Sequence, residues 1–366
     1  MLMNNKICFF SQMYQAIPSL VTIQRDLGGT FVCGRGSTTR YFRKKYPELD
    51  FAHFNKRLKR FSAGHKAMLN ADCIVTGSPY KKLLSPYEAK KVMVFHGTYS
   101  GLTANVLEQL RHFDHLFLIG NRMEKMLLRY KQQLDFKYTK TGFLPFANFP
   151  DKNKENRRLV LKYLGLDVSL KTVVYCPTRR ESGSWELCVE ALIDSLSAKY
   201  NLILRPHPSL SMNLRWHEKS SIRNLQTIAK KRGNTLIDMA EVHFPDLLMI
   251  ADLLISDANS PAEESLFYDT PQILTGLGKS SYGEIRKANL TLNLDEEDIE
   301  DRLRIFSCGL VFADEKGLDW CEAVDKALLE EKEYANNRRD YFEFVFGERD
   351  KGAAYRVAKI IQSEYL

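Results

Sequence analysis

The chain has no C-x-x-C pair, which removes the simplest zinc ribbons and thioredoxin-type redox chemistry. Its seven cysteines are an odd number with no framework spacing, which argues against a disulfide-stapled fold and an oxidising compartment. Cys8, Cys73 and Cys176 stand in or beside apolar runs and are expected to be small buried hydrophobes. The expected compartment is therefore the cytoplasm. No apolar run reaches the roughly 18 residues of a membrane-spanning helix. Residues 1–10 hold one short apolar stretch and no small-residue cleavage site, so they read as a first strand and not a signal peptide. Neither a G-x-x-x-x-G-K-[ST] phosphate loop nor a G-x-S-x-G nucleophile elbow occurs. Gly28-Gly29 and Gly34-x-Gly36 lack the spacing of a dinucleotide fingerprint. There is no Asp-x-Asp pair either. A transferase gripping its nucleotide through a carboxylate-held metal is not expected, and neither metal nor cofactor is predicted.

What is present is an uneven distribution of charge. The formal net charge is +8, yet residues 1–150 hold 23 Lys and Arg against 9 Asp and Glu. The remainder holds 30 against 36. A basic first half attracts polyanions, whether a phosphate-bearing acceptor, an anionic membrane surface or a nucleic acid; a basic face kept only for solubility is the alternative. Arg40-Tyr-Phe-Arg-Lys-Lys45 and Lys56-Arg-Leu-Lys-Arg60 concentrate the charge. Neither cluster has a regular stacking or groove-reading pattern, so nucleic acid is not an expected partner.

Short apolar runs ending at Gly or polar residues alternate with helical stretches, the pattern of strands buried on both faces. In the first half the expected strands are 6–10, 30–33, 73–76, 92–95, 115–119 and 138–141, with helices over 55–70 and 121–131. Residues 143–156 carry two prolines and a mixed-charge stretch suited to a linker. The pattern then repeats. Helices are expected over 157–164, 186–200, 221–232, 244–251 and 261–268, and strands over 172–175, 201–204 and 253–255, with a helical tail over 318–366. The reading is an α/β protein of βαβ units. Its expected domains are 1–145, which is basic, and 146–335, followed by a helical segment over 336–366.

Three polar loops carry the chemistry: Tyr175-Cys-Pro-Thr-Arg-Arg180, Leu204-Arg-Pro-His-Pro208 and Ser256-Asp-Ala-Asn-Ser-Pro-Ala-Glu-Glu264. Each follows a predicted parallel strand, and open α/β sheets bind ligands beyond the carboxyl ends of strands. Thr178, Arg179 and Arg180 close the first loop. Paired guanidinium groups suit bidentate phosphate recognition, although a surface ion pair would use the same residues. Arg205 and His207 stand on a stiff proline turn, placed for charge developing on a departing phosphate. Asp257, Asn259 and Ser260 lead into a helix with Pro261 in its first turn. Such a start suits a phosphate and is equally a well-capped structural helix. Glu264, one turn in, is placed to accept from ribose hydroxyls. In the first half, Phe95-His-Gly-Thr98 follows a strand. His96 there is a candidate general base, with Gly97 and Thr98 on the acceptor side, or else a satisfied buried histidine.

Taken in order, the His96-Gly97 step and the three loops, followed by Pro271, resemble the CDP-glycerol glycerophosphotransferase family. Its members build teichoic acids and related phosphate-linked polymers. The likeness runs over residues 96–271. It departs at Gly142-Phe-Leu-Pro145, which lacks the arginine and aspartate of the family pattern, at Asn259, where a serine is usual, and at Glu264, where an aspartate is common.

The resemblance implies a GT-B fold: two Rossmann-like parallel-sheet domains facing a cleft, the first taking the acceptor and the second the nucleotide donor, with a C-terminal helix crossing back to the first. It implies transfer of glycerophosphate or a related polyol phosphate from a CDP-activated donor to an acceptor hydroxyl, the acceptor being lipid-linked or polymeric. His96 would be the acceptor-side base and His207 would act at the donor. Arg179, Arg205, His207 and Ser260 would hold the diphosphate and Glu264 the ribose, with Thr178, Arg180, Asp257 and Asn259 of the same loops as further candidates for donor binding. Such an enzyme would sit peripherally on the inner face of the cell membrane. The alternatives are a GT-B glycosyltransferase using a UDP- or CMP-type nucleotide sugar for capsule or lipopolysaccharide and, more remotely, a relative of UDP-N-acetylglucosamine 2-epimerases. The latter share a D-S-G-G-x-x-E-E segment resembling residues 257–264, but their Gly-Thr-Arg-Pro opening is missing here.

Overall fold

The computed structural model describes residues 6–58, 61–98, 101–133, 135–196, 199–211, 215–313 and 319–366. Thirteen strands form two all-parallel sheets among the described residues. The first holds β1 (Ile7–Ser11), β2 (Thr30–Cys33), β3 (Asp50–His53), β4 (Cys73–Thr76), β5 (Lys90–Val94), β6 (His115–Leu118) and β7 (Tyr138–Lys140), in the order β3-β2-β1-β4-β5-β6-β7. The second holds β8 (Lys171–Cys176), β9 (Tyr200–Leu204), β10 (Thr235–Ile237), β11 (Leu253–Ser256), β12 (Gln272–Thr275) and β13 (Leu310–Phe312), in the order β10-β9-β8-β11-β12-β13. Each sheet runs outward through three strands, then reverses from its first strand to its fourth. Those reversals, β1/β4 and β8/β11, are the switch points where doubly wound sheets bind ligands.

The chain divides into two compact units, Met1–Asn148 with Glu343–Leu366, and Phe149–Phe342. The C-terminal helix Ala353–Tyr365 packs on the helix Ile17–Leu27 of the first unit. Three alanines, Ala353, Ala354 and Ala358, allow a close approach, and Val357 and Ile361 fill the contact; all five are buried. The Arg356 Nε also donates to the Thr141 carbonyl at 2.9 Å.

Burial on both faces explains the strands read from sequence. Val173, Val174 and Tyr175 in β8 and all of Leu253, Leu254 and Ile255 in β11 are fully buried, each apolar side chain contributing about 1.5–3 kcal/mol. Strand β3 was not expected. It begins with Asp50, whose carboxylate accepts from Thr30 Oγ1 at 2.6 Å, and only Phe51 and Ala52 between its ends are apolar and buried. The helix expected over 55–70 is shorter, Ala63–Leu69. Asn55 Oδ1 accepts from the amides of Arg57 and Leu58, a local turn that competes with helix, and Ser62 then caps a fresh start. Lys59 and Arg60 of the second basic cluster lie outside the described residues. The helix expected over 186–200 ends at Ser195, because Tyr200 already belongs to the buried strand β9.

Candidate active site

The three loops read from sequence leave three adjacent strands, β9, β8 and β11, at and beside the second switch point. Asn259 joins two of them. Its side-chain carbonyl accepts from the Ala262 amide and caps the helix Ser260–Ser265. Its amide donates to the Cys176 carbonyl at 3.1 Å and to Thr178 Oγ1 at 3.2 Å. A serine could do the first and could not reach so far for the second, so asparagine here both caps and clamps. Ser260 opens the helix and is partly exposed.

Asp257, expected to hold the nucleotide, is turned inward. It is 1% exposed, and its carboxylate accepts from the Thr178 and Ser184 amides, from Ser184 Oγ at 2.6 Å and from Thr275 Oγ1. Desolvating a carboxylate is costly unless its lone pairs are met, and four donors meet them. Asp257 thus shapes the Thr178 loop from below. Gly183 completes that loop, since a Cβ at that position would stand 2.3 Å from the Thr178 carbonyl oxygen.

Of the two adjacent arginines, Arg179 is exposed and has no ion-pair partner among the described residues. Arg180 is half-buried and paired with Glu218 at 2.9 Å. Both raise the local potential at His207, whose pKa is lowered by burial first and then by these two guanidinium groups. The Ser209 amide donates to His207 Nδ1 at 3.1 Å. Because a backbone N–H only donates, Nδ1 is the acceptor and the neutral ring carries its proton on Nε2. Arg205 is more deeply set than its motif suggests. It is paired with Asp238, which is 1% exposed by its side chain, and donates to the Val242 carbonyl at 3.1 Å. Glu264 is half-buried near the Cys176 end of β8, and burial, then the adjacent Glu263, push its carboxyl up to about 8.

In the first unit, His96 follows β5 and leans on the end of β4. Its Nδ1 lies 2.9 Å from the Gly77 carbonyl oxygen. A carbonyl only accepts, so Nδ1 holds the proton and Nε2 is the basic nitrogen. Burial lowers the imidazole pKa, partly opposed by the Gly77 carbonyl. Gly77 is required for this approach, since a Cβ there would come within 3.0 Å of His96 Nδ1 and 3.3 Å of Ala16. Beyond the half-buried Gly97, Thr98 is buried, and its carbonyl accepts from the buried Arg122 at 2.8 Å. Sequence reading missed Gly77, Arg122, Gly183, Glu218 and Asp238. An acid just after a strand, as at Asp238, was the one signal available. Among the described residues no three His, Cys, Asp or Glu side chains gather as a metal-ligand set. No helix among them is long and apolar enough to cross a membrane.

The family described as CDP-glycerol:poly(glycerophosphate) glycerophosphotransferase matches residues 67–363. No curated sequence is similar enough to count as a relative. Among solved structures, the wall teichoic acid polymerase TagF, soaked with CDPG as an H444N variant, is 15% identical with a TM-score of 0.66, covering 98% of this chain and 88% of that one. HepE of Anabaena in complex with UDP and glucose is 12% identical with a TM-score of 0.55, covering 98% and 99%. A glycosyltransferase from Rickettsia africae is 14% identical with a TM-score of 0.56, covering 99% and 100%. At such identities the likeness shows the fold, which is GT-B-like.

Proposed function

The chain belongs to the CDP-glycerol:poly(glycerophosphate) glycerophosphotransferase family, and from that premise we propose how its residues divide the transfer of glycerophosphate. An acceptor hydroxyl attacks the glycerol-bearing phosphorus of CDP-glycerol. The new P–O bond forms as the bond to CMP breaks, and the hydroxyl proton passes to His96 Nε2. Gly97 and Thr98 shape the acceptor side. His207 offers its Nε2–H, and Arg179, Arg180, Thr178 and Ser260 their polar groups, to the phosphates, neutralising the departing CMP without a metal, while Asn259 holds the Thr178 loop against the helix start. Arg205 fixes the loop of His207, and Glu264 meets the ribose. The observation that carries this reading is the placement of Arg179, Arg180 and His207 on loops leaving neighbouring strands at one switch point, where Arg180 Nη2 and His207 Nδ1 both bind the backbone of Ser209.

Titration calorimetry tests the reading. CDP is expected to bind at least about tenfold more tightly than UDP or GDP, a difference of about 1.4 kcal/mol, and equally in EDTA and in magnesium. Preference for UDP would move the assignment to a nucleotide-sugar transferase. Dependence on magnesium would overturn the metal-free neutralisation.

The product is then a teichoic-acid-like phosphate polymer, and the acceptor a lipid-linked or polymeric hydroxyl. The basic first unit supports residence at an anionic membrane. Arg40, Lys44 and Lys45 are exposed beside Tyr41, and Leu58 and Phe61 are 59% and 84% exposed next to Lys56 and Arg57. Basic residues flanking exposed apolar side chains suit an anionic interface. Flotation with phosphatidylglycerol vesicles is expected to carry the protein at low salt, and Leu58→Ser with Phe61→Ser to release it. Equal flotation with neutral phosphatidylcholine vesicles would overturn the electrostatic part of this reading.

A further inference from the structure

We propose that Glu218 is a positioning residue for the donor phosphates, holding Arg180 beside His207 through one connected set of hydrogen bonds. The inference rests on the reading that Arg180 and His207 meet the diphosphate. Arg180 Nε donates to Glu218 Oε1 at 2.9 Å, and Arg180 Nη2 donates to the Ser209 carbonyl at 2.9 Å. The Ser209 amide in turn donates to His207 Nδ1. The chain of contacts therefore runs from Glu218 through Arg180 and Ser209 to the ring that offers Nε2–H.

Two features show that this arrangement is held and not merely adopted. Arg180 has φ 37°, a left-handed backbone that a side-chain-bearing residue seldom takes, so its conformation needs support from its contacts. A cavity of about 290 Å³, lined by Arg180, Glu181, Trp185, Leu210, Arg215 and Glu218, lies against the pair. A guanidinium released from Glu218 has room to leave. The same carboxylate also caps the helix Trp216–Arg232, because Glu218 Oε2 accepts from the Arg215 amide at 2.7 Å. That second duty is the competing structural role, and it is separable. Glutamine at the third helical position still accepts a capping N–H but loses the charge that pairs with Arg180.

The test compares wild type, Glu218→Gln and Glu218→Ala by calorimetry with CDP and by NMR titration of the His207 imidazole. Glu218→Gln is expected to keep the wild-type melting temperature and weaken CDP binding about tenfold. The His207 pKa should rise toward 6.5 as Arg180 moves off. Glu218→Ala should show the same two changes with a lower melting temperature. An unshifted or lowered His207 pKa in Glu218→Gln would overturn the proposal, because Arg180 would not have moved. Wild-type CDP affinity in that variant would also overturn it. Failure of the wild type itself to bind CDP would instead overturn the donor-site reading, so the two failures are distinguishable.

Discussion

Replacing His96 with alanine is expected to lower turnover about 10³-fold while CDP affinity stays within about twofold of wild type. General bases contribute on the order of 10²–10⁴ in rate, and several features place His96 near the middle of that range. Its tautomer is set by the Gly77 carbonyl, so Nε2 is basic without rearrangement. Burial lowers its pKa, so the ring is neutral at pH 7. The sign of the pH dependence follows. The active form is the unprotonated one, so kcat/KM rises with pH through a pKa below 6.5 and is level from there to neutrality. A normal or raised value would place the acid limb at or above 6.5 and contradict the burial argument. Gly77→Ala is the geometric control, because the added methyl would crowd Nδ1 at 3.0 Å and turn the ring. It should lower kcat at least tenfold with CDP affinity unchanged. If His96→Ala instead abolishes CDP binding and spares kcat, the assignment of base to His96 fails.

The three polar loops of the second unit were legible in the sequence because their parts are local. Each loop follows a strand buried on both faces, which appears as an apolar run, and Pro177, Pro206 and Pro261 mark where each strand gives way to a turn or helix. What the sequence could not show is which residues pair across strands. Asp238 lies 33 residues from Arg205 and Glu218 38 residues from Arg180. These partners meet only because β9 and β10 are neighbours, and because the first turn of the helix Trp216–Arg232 reaches the loop that follows β8. Asp257 shows the opposite error. Its place at a strand end, next to Asn259 and Ser260, resembles that of a ligand-facing acid. The deciding donors on Ser184 and Thr275 are distant in sequence. His96 was readable as a candidate base, but its tautomer depended on a carbonyl 19 residues earlier.

Arg205→Ala is expected to lose both CDP binding and about 3–5 kcal/mol of stability, and the two losses have different origins. Arg205 and Asp238 form a buried pair, with side chains 11% and 1% exposed. Removing the cation leaves an uncompensated carboxylate in the interior, the costly half of breaking such a pair. Asp238 also accepts from the amides of Glu241 and Val242, so it cannot simply turn away to water. Lost nucleotide affinity in Arg205→Ala alone would therefore be ambiguous between a missing phosphate contact and a disordered loop. The double variant Arg205→Met, Asp238→Asn resolves this. Methionine fills the volume of the arginine stem, and the asparagine carbonyl still accepts from both loop amides without a charge needing a partner. Urea denaturation is expected to show stability restored to within about 1 kcal/mol of wild type. If CDP affinity returns with stability, Arg205 serves the site by holding the β9 loop and His207 in place. If stability returns while affinity stays at least tenfold down, its guanidinium touches the phosphates directly. A stable Arg205→Ala single variant would show that the buried pair contributes little, and would remove the basis for the loop-holding reading.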